Sequence, residues 1–419
     1  MHPELSDKSR RLRTELREYF ARIINDEDRR ALVDQTEGGP VFDKIYRQMG
    51  ADGWLGLGWP EEYGGRGEDP EALYVFYDET IRAGAPVSLV TLNTVAPALM
   101  KYGTQEQKDF FLPKILTGEL KFAIGYTEPG AGTDLAALQT RARVEGDELV
   151  IDGNKLYTSS AIFADWVWLA VRTDPDAPRH KGISVVLVPT SSPGFSATEI
   201  QTVGGISTAV TYYENIRVPL SNVVGELNQG WTLITSQLNH ERVALAARGG
   251  IANEMYDEVL AWAKQEPFGP GVLFDVPWVR STLAEVYALL SATDLVNLRL
   301  VSDIAANTLS GGDSAAAKVF GTEGVVAAYG MLQEVLGARG LLRPGSPGAV
   351  IEGRVEALGR RAQNNTFGGG SNEVMREIVA AKNLGMTLGA RRRPDAAATR
   401  TQSDRTAQAD VKTPAETRS

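Results

Sequence analysis

A chain of 419 residues is too long for one ordinary core and predicts two or three domains. With 43% hydrophobic and 23% charged residues it has a soluble globular profile, and no apolar run approaches the ~18 residues a membrane helix needs. The absence of cysteine excludes disulfides, thiolate chemistry and Cys-ligated metals; His2, His180 and His240 are too scattered for a zinc triad, and a net charge of -10 argues against nucleic acid as a partner.

The opening stretch, MHPELSDKSRRLRTELREYF, lacks an apolar signal core and reads as an amphipathic helix, which implies a cytoplasmic protein. Residues 1–120 alternate helical patterns with turns: Ser9–Ile24, Pro70–Arg82, and Gln105–Leu116, the last ending at Thr117-Gly118. From Lys121 the texture changes. Val144–Asp152, Trp166–Arg172 and Gly182–Val188 are short Val/Ile/aromatic runs broken by Gly, Pro and Asp, and they predict an antiparallel sheet over residues 121–229. Residues 230–388 are helical again. Trp231–Ala263, Pro277–Ala306 and Ser314–Leu336 are long enough for bundle helices. The tail, 389–419, holds Arg391-Arg392-Arg393 and then almost nothing apolar, and is expected to be disordered.

Four segments carry chemistry. Tyr126-Thr127-Glu128-Pro129 runs into Gly130-Ala131-Gly132-Thr133-Asp134, a turn whose bare backbone N–H groups and hydroxyls suit a ligand rich in carbonyl and phosphate oxygens, or equally an ordinary Gly/Pro turn between strands. The others are Trp59-Pro60-Glu61-Glu62-Tyr63-Gly64-Gly65, Ile151–Ser160 (IDGNKLYTSS) and Gly369-Gly370-Ser371-Asn372-Glu373-Val374-Met375-Arg376. No G-x-G-x-x-G follows a strand, and there is no P-loop, G-x-S-x-G elbow or H-E-x-x-H.

In their order along the chain the four segments resemble the signatures of the acyl-CoA dehydrogenase family, over about Glu15 to Leu388. The resemblance implies a mainly α fold with a central antiparallel β domain: an N-terminal helical domain, a β-sheet domain and a C-terminal four-helix bundle, with FAD between sheet and bundle. It assigns Tyr126 and Thr127 to the flavin, Thr127 at the pyrimidine edge, and brings Gly132 and Thr133 to the isoalloxazine and substrate side. Tyr157 takes the place of the family tryptophan over the ring, Ser159 that of the threonine bonding N5, and Ser371 that of the C-terminal threonine. Asn239 matches a polar position near the CoA pantetheine, and His240 reads as a packing residue.

The reaction implied is α,β-dehydrogenation of an acyl-CoA thioester: a base takes the proton next to the thioester, and a hydride leaves the next carbon for the flavin. Many family members carry the base as a glutamate where this chain has Gly369. A second branch carries it on an earlier helix, directly before an arginine, where this chain reads Glu241-Arg242. A Glu-Arg dipeptide on a helix is most often a solvated pair; the vacated C-terminal position favours Glu241 as the base and Arg242 as an orienting group, since a guanidinium stays protonated. Gly369 keeps the backbone N–H that in the family holds the thioester oxygen together with a flavin ribityl hydroxyl.

Two departures bear on assembly. Homomeric members bind the neighbour's FAD pyrophosphate through the arginine of R-x-x-F-G and the glutamine of Q-x-x-G-G; here those positions are Gln265 and Glu334. A carboxylate facing phosphates repels them. The pattern resembles the heteromeric acyl-CoA dehydrogenases of bacterial sterol side-chain degradation, and implies a heterotetramer with a homologous subunit and an electron-transfer flavoprotein as acceptor. Ala244, Ala246, Ala247, Gly249 and Gly250 near Glu241 would leave room for a bulky acyl group or simply permit close helix packing. The alternatives are a non-catalytic structural subunit with a vestigial flavin site, and a flavin oxidase or monooxygenase on the same fold.

Overall fold

The computed structural model describes residues 4–32, 35, 37–235 and 251–386. The expected tail beyond residue 388 therefore lies outside the described residues.

The first helices form because their ends are capped and one face is apolar. Helix α1 (Asp7–Ile23) starts on Ser6, whose side chain accepts from Ser9 N–H, and it buries Leu16, Tyr19 and Phe20. After α2 (Asp26–Leu32) and α3 (Pro40–Ala51), α4 (Pro70–Arg82) is capped by Asp69 and has proline in its first turn. After α5 (Ala96–Tyr102), α6 (Gln105–Leu116) opens on a Thr104/Gln107 capping box. Both α4 and α6 have the bounds read from sequence. Arg13 and Arg17 of α1 reach across to the buried carboxylates Asp78 and Glu79 of α4, Arg17 gripping Glu79 with two nitrogens at 2.9 and 3.0 Å.

The sheet has eight strands: β1 (Phe122–Gly125), β2 (Arg141–Glu145), β3 (Glu148–Lys155), β4 (Trp166–Arg172), β5 (Ile183–Pro189), β6 (Phe195–Gln201), β7 (Ser207–Pro219) and β8 (Val223–Val224). The order is β6-β7-β3-β2-β4-β5-β8, with β1 beside β4. One expectation is corrected here. The run Val144–Asp152 is a hairpin rather than one strand, because Gly146 at φ +63° opens a two-residue turn between β2 and β3. The sheet is antiparallel in the main, as expected, with β1 running parallel to β4 and pairing Phe122–Gly125 with Trp166–Leu169.

The C-terminal part is helical: Ile251–Ala263, Pro277–Ala305, Gly311–Leu336, Arg354–Ala362 and Asn372–Lys382. The first three pack through a second core that includes Met255, Val259, Val279, Leu283, Val325 and Leu332. The long run expected from Trp231 to Ala263 is helical at Gly230–Thr235 and from Ile251; its middle lies outside the described residues.

Side chains tie the N-terminal helices to the sheet. Gln107 of α6 donates to the carbonyls of Ser221 (2.7 Å) and Val223 (2.9 Å), Lys121 pairs with Asp43 of α3 (2.5 Å), and Phe122 N–H donates to Thr91 Oγ1 (2.9 Å). No described helix is long and apolar enough to cross a membrane.

Candidate active site

The loop from Tyr126 to Asp134 leaves the end of β1 and is fixed from beneath. Glu128, 7% exposed, accepts from Lys155 Nζ (2.8 Å), Thr140 N–H (2.8 Å) and Gln139 N–H (2.6 Å). Lys155, at 0% exposure on β3, also donates to the Tyr126 carbonyl (3.2 Å). Burial pushes Glu128 up, but the Lys155 charge and the hydrogen bonds from Lys155 and Thr140 outweigh it and hold the carboxyl below its usual range. Burial presses the Lys155 ammonium down to about 8, against the pull of Glu128. At neutral pH the two form an intact buried ion pair.

Above this pair the chain closes a tight turn: Glu128 and Ala131 exchange two backbone hydrogen bonds, at 3.1 and 3.0 Å. Gly132 and Thr133 are exposed, and a Cβ built on Gly130 or Gly132 meets nothing within 4 Å. Asp134 is held by Arg179. Tyr126 turns inward, its hydroxyl accepting from Trp168 Nε1 at 3.0 Å.

The end of β3 is fastened beside that turn. Leu156 N–H donates to the Thr127 carbonyl (2.8 Å) and Thr158 N–H to the Ala209 carbonyl (2.9 Å). Between these bonds sits Tyr157, at φ +59° and 61% exposed. A tyrosine in left-handed backbone is strained and persists only where the surroundings force it. The exposed Ser159 donates to Thr208 Oγ1 (3.2 Å). The structure thus brings Thr127, Tyr157 and Ser159, predicted from separate motifs, to one edge of the sheet.

The Gly369 segment approaches from the helical side. The loop after β6 touches helix Arg354–Ala362: Arg360 donates to the Val203 carbonyl, and a Cβ on Gly204 would lie 3.4 Å from Arg361 Cα. Gly369 follows that helix, at φ +70° with open space where a Cβ would point. Ser371 caps helix Asn372–Lys382, accepting from Val374 N–H at 3.4 Å. Lys318 of helix Gly311–Leu336 donates to the carbonyls of Thr366 and Gly370 and to Asn372. Glu241, Arg242, Asn239 and His240 lie outside the described residues.

Three supporting residues were missed in the sequence. Glu128 and Lys155 stand inside quoted motifs, but their neighbours Thr127, Pro129 and Asn154 give no local sign of a buried pair. Lys318 is a lone cation in the Ala-rich run Ser314–Val319, the one local sign of a buried role.

The sequence matches the family models "Acyl-CoA dehydrogenase, N-terminal domain" at residues 6–119, "middle domain" at 123–216 and "C-terminal domain" at 228–384. The chain belongs to the acyl-CoA dehydrogenase family. It is 49% identical to the acyl-CoA dehydrogenase FadE26 of Mycobacterium tuberculosis over 385 residues, covering 90% of this chain and 96% of that protein. Its fold matches one chain of the Tcur3481-Tcur3483 steroid ACAD with TM-score 0.90 and 51% identity, covering 93% of this chain and 100% of that one. It likewise matches a chain of the ChsE4-ChsE5 complex from Mycobacterium tuberculosis with TM-score 0.88 and 48% identity, at 93% and 100% coverage. This acyl-CoA dehydrogenase therefore has helical N- and C-terminal parts around a middle sheet, as the motifs implied.

Proposed function

We propose that this acyl-CoA dehydrogenase is the catalytic subunit of a hetero-oligomer, a heterotetramer with a homologous subunit, that binds FAD and acts on a bulky CoA thioester such as a steroid side chain. Electrons would then pass to an electron-transfer flavoprotein. The observation that carries the reading is the edge where the open Gly130–Thr133 turn, the exposed Tyr157 and the Ser159 hydroxyl meet. Its chemistry fits a flavin: an exposed aromatic face, two hydroxyls, and glycines whose missing side chains leave backbone N–H groups open. Thr127, Gly132, Thr133, Tyr157 and Ser159 would hold the ring, with Tyr126 and Ser371 bracing the loops. When bound, FAD would accept the hydride from the β-carbon.

The protein's own groups do the rest. Glu241 would take the α-proton, with Arg242 orienting the site and Asn239 beside the pantetheine. The Gly369 N–H would donate to the thioester oxygen, where charge grows as the proton leaves. The assembly reading rests on Gln265 and Glu334, both exposed. The nearby Arg339 pairs with Glu266 at 2.6 Å, so its charge is already engaged. Similarity at about half identity to chains of the steroid ACAD and the ChsE4-ChsE5 complex supports both the partner and the steroid class.

Flavin absorbance per protein mass tests this, for the chain alone and for the chain co-expressed with a homologue bearing R-x-x-F-G and Q-x-x-G-G. The pair should hold FAD roughly ten- to hundredfold more tightly, the yield of a charge-assisted contact of ~1.5–3 kcal/mol. Full flavin and normal turnover in a homomer would sink the heteromer. A yellow pair inert with every acyl-CoA would favour the non-catalytic subunit.

A further inference from the structure

Three successive glycines, Gly368-Gly369-Gly370, give the C-terminal loop little stiffness of its own. Phe367 before them is 61% exposed, so burial does not anchor the loop either. Gly368 N–H donates to the Asn364 carbonyl (2.9 Å) at the loop's start, and the rest of the anchor comes from another element. Lys318 Nζ donates to the Thr366 carbonyl (3.1 Å), the Gly370 carbonyl (2.8 Å) and Asn372 Oδ1 (2.7 Å). The two carbonyls bracket the segment that presents the Gly369 amide. Asn372, 3% exposed, is fixed in turn: its Nδ2 donates to Thr322 Oγ1 (3.1 Å) and Glu323 Oε1 (3.0 Å), and Arg376 binds Glu323 at 2.7 Å. Asn372 of the Gly369–Arg376 motif thus contacts Lys318 directly, while Arg376 holds the Glu323 that fixes Asn372.

We propose that Lys318 is a positioning residue that aims the Gly369 N–H at the thioester oxygen, and so sets how much binding the site draws from that oxygen. The proposal rests on the reading of Gly369 as the oxygen's donor. A hydrogen bond to a developing oxyanion counts only when the donor is held within a fraction of an ångström, and a run of glycines cannot hold it unaided. An ammonium has three N–H groups, and three acceptors meet them here. All three acceptors are neutral. Glu323 on the same helix and Glu373 on helix Asn372–Lys382 act on Lys318 at longer range; Arg376 is paired with Glu323, and no other charged group acts on it among the described residues. Burial brings the ammonium down to about 8 against those carboxylates. A neutral amine keeps two N–H groups, so loss of the proton removes one of the three contacts.

The test uses the flavin-loaded complex reduced with dithionite, in which bound thioester cannot turn over. The probes are cholanoyl-CoA and the S-cholanyl-CoA thioether, which lacks only the carbonyl oxygen. The wild-type complex should prefer the thioester. Lys318→Met should cut that preference about tenfold, the worth of one well-aimed hydrogen bond of ~1.4 kcal/mol, while thioether affinity and flavin per protein mass stay unchanged. Lys318→Arg, with donors for the same carbonyls, should recover part of it. If the variants fail to fold, the wild-type preference should still fall between pH 7 and 9.5 with thioether affinity flat. A preference kept in Lys318→Met, or flat with pH, would overturn the positioning role alone. No preference in the wild type would overturn the reading of Gly369, and this proposal with it.

Discussion

The Tyr126–Asp134 loop and the Phe367–Ser371 loop both rely on glycines, and each is secured by one lysine from a neighbouring element. The acceptors differ. Lys155 meets a carboxylate in a site without solvent, whereas Lys318 meets two peptide carbonyls and an amide. A buried ion pair is strongly bound once made, and costly to leave half-made. A lysine among neutral acceptors is cheaper to disturb, and what it supplies is aim. The first loop is built to stay; the second is built to point.

The largest expected effect lies on neither loop. Glu241→Gln keeps shape and removes basicity, so turnover with a ferrocenium acceptor should drop by ~10²–10⁴ while flavin content holds. Activity within a few-fold of wild type would remove Glu241 from the mechanism.

Next comes the ion pair. Lys155→Met leaves Glu128 buried without its cation and should cost ~3–5 kcal/mol in urea unfolding, with loss of flavin. Adding Glu128→Leu should return much of the stability but not the loop's hold on its flavin. Lys318→Met should cost far less stability; equal losses in the two single variants would erase the contrast between the loops.

The carboxylate of the first loop and the lysine of the second should respond oppositely to pH. Glu128 sits below its usual carboxyl range, so its contribution is present at neutral pH and lost as pH falls through its folded value. Lys318 behaves oppositely. Its folded value of about 8 lies below the ordinary 10.5, so between these the unfolded chain binds the extra proton and this group makes stability rise with pH. Thioester preference should fall over the interval in which that contribution rises. Parallel curves from denaturant melts and binding would break the link between Lys318 and aim.

The smallest effect is Gly369→Ala. At φ +70° a side chain costs about 1 kcal/mol, but it would meet nothing and leaves the amide in place. Melting should shift by a few degrees and turnover by less than tenfold; a total loss of activity would mean that the open space there is needed by substrate.

Much of this was legible from residues alone. Helices α4 and α6 were readable to the residue because Asp69-Pro70 and the Thr104/Gln107 box announce their starts. The edge where Thr127, Tyr157 and Ser159 meet was legible through motifs, since these residues fall on positions of family signatures. What was not legible depended on contact across distance. Nothing local to Glu128 names Lys155, 27 positions on, and nothing in Ser314–Val319 says that Lys318 reaches Gly370, 52 positions on. The hairpin within Val144–Asp152 was missed although it was legible: Gly146-Asp147 between Glu145 and Glu148 is a local turn signal. The parallel partner of β1 follows from chain path, which periodicity does not encode.

That parallel pairing also orders events in time. β1 leaves the first helices at Phe122, yet its neighbour, β4, begins only at Trp166. Strand pairing at such separation must first close a long stretch of chain, which is slow. During synthesis, residues 122–125 therefore wait beside an already emerged helical part until Leu169 has cleared the ribosome, and the strand that bears the Tyr126–Asp134 turn is seated in the sheet only then. Seating of the loop against the sheet is by this logic a late step, gated by a strand more than forty positions downstream of the one that bears it.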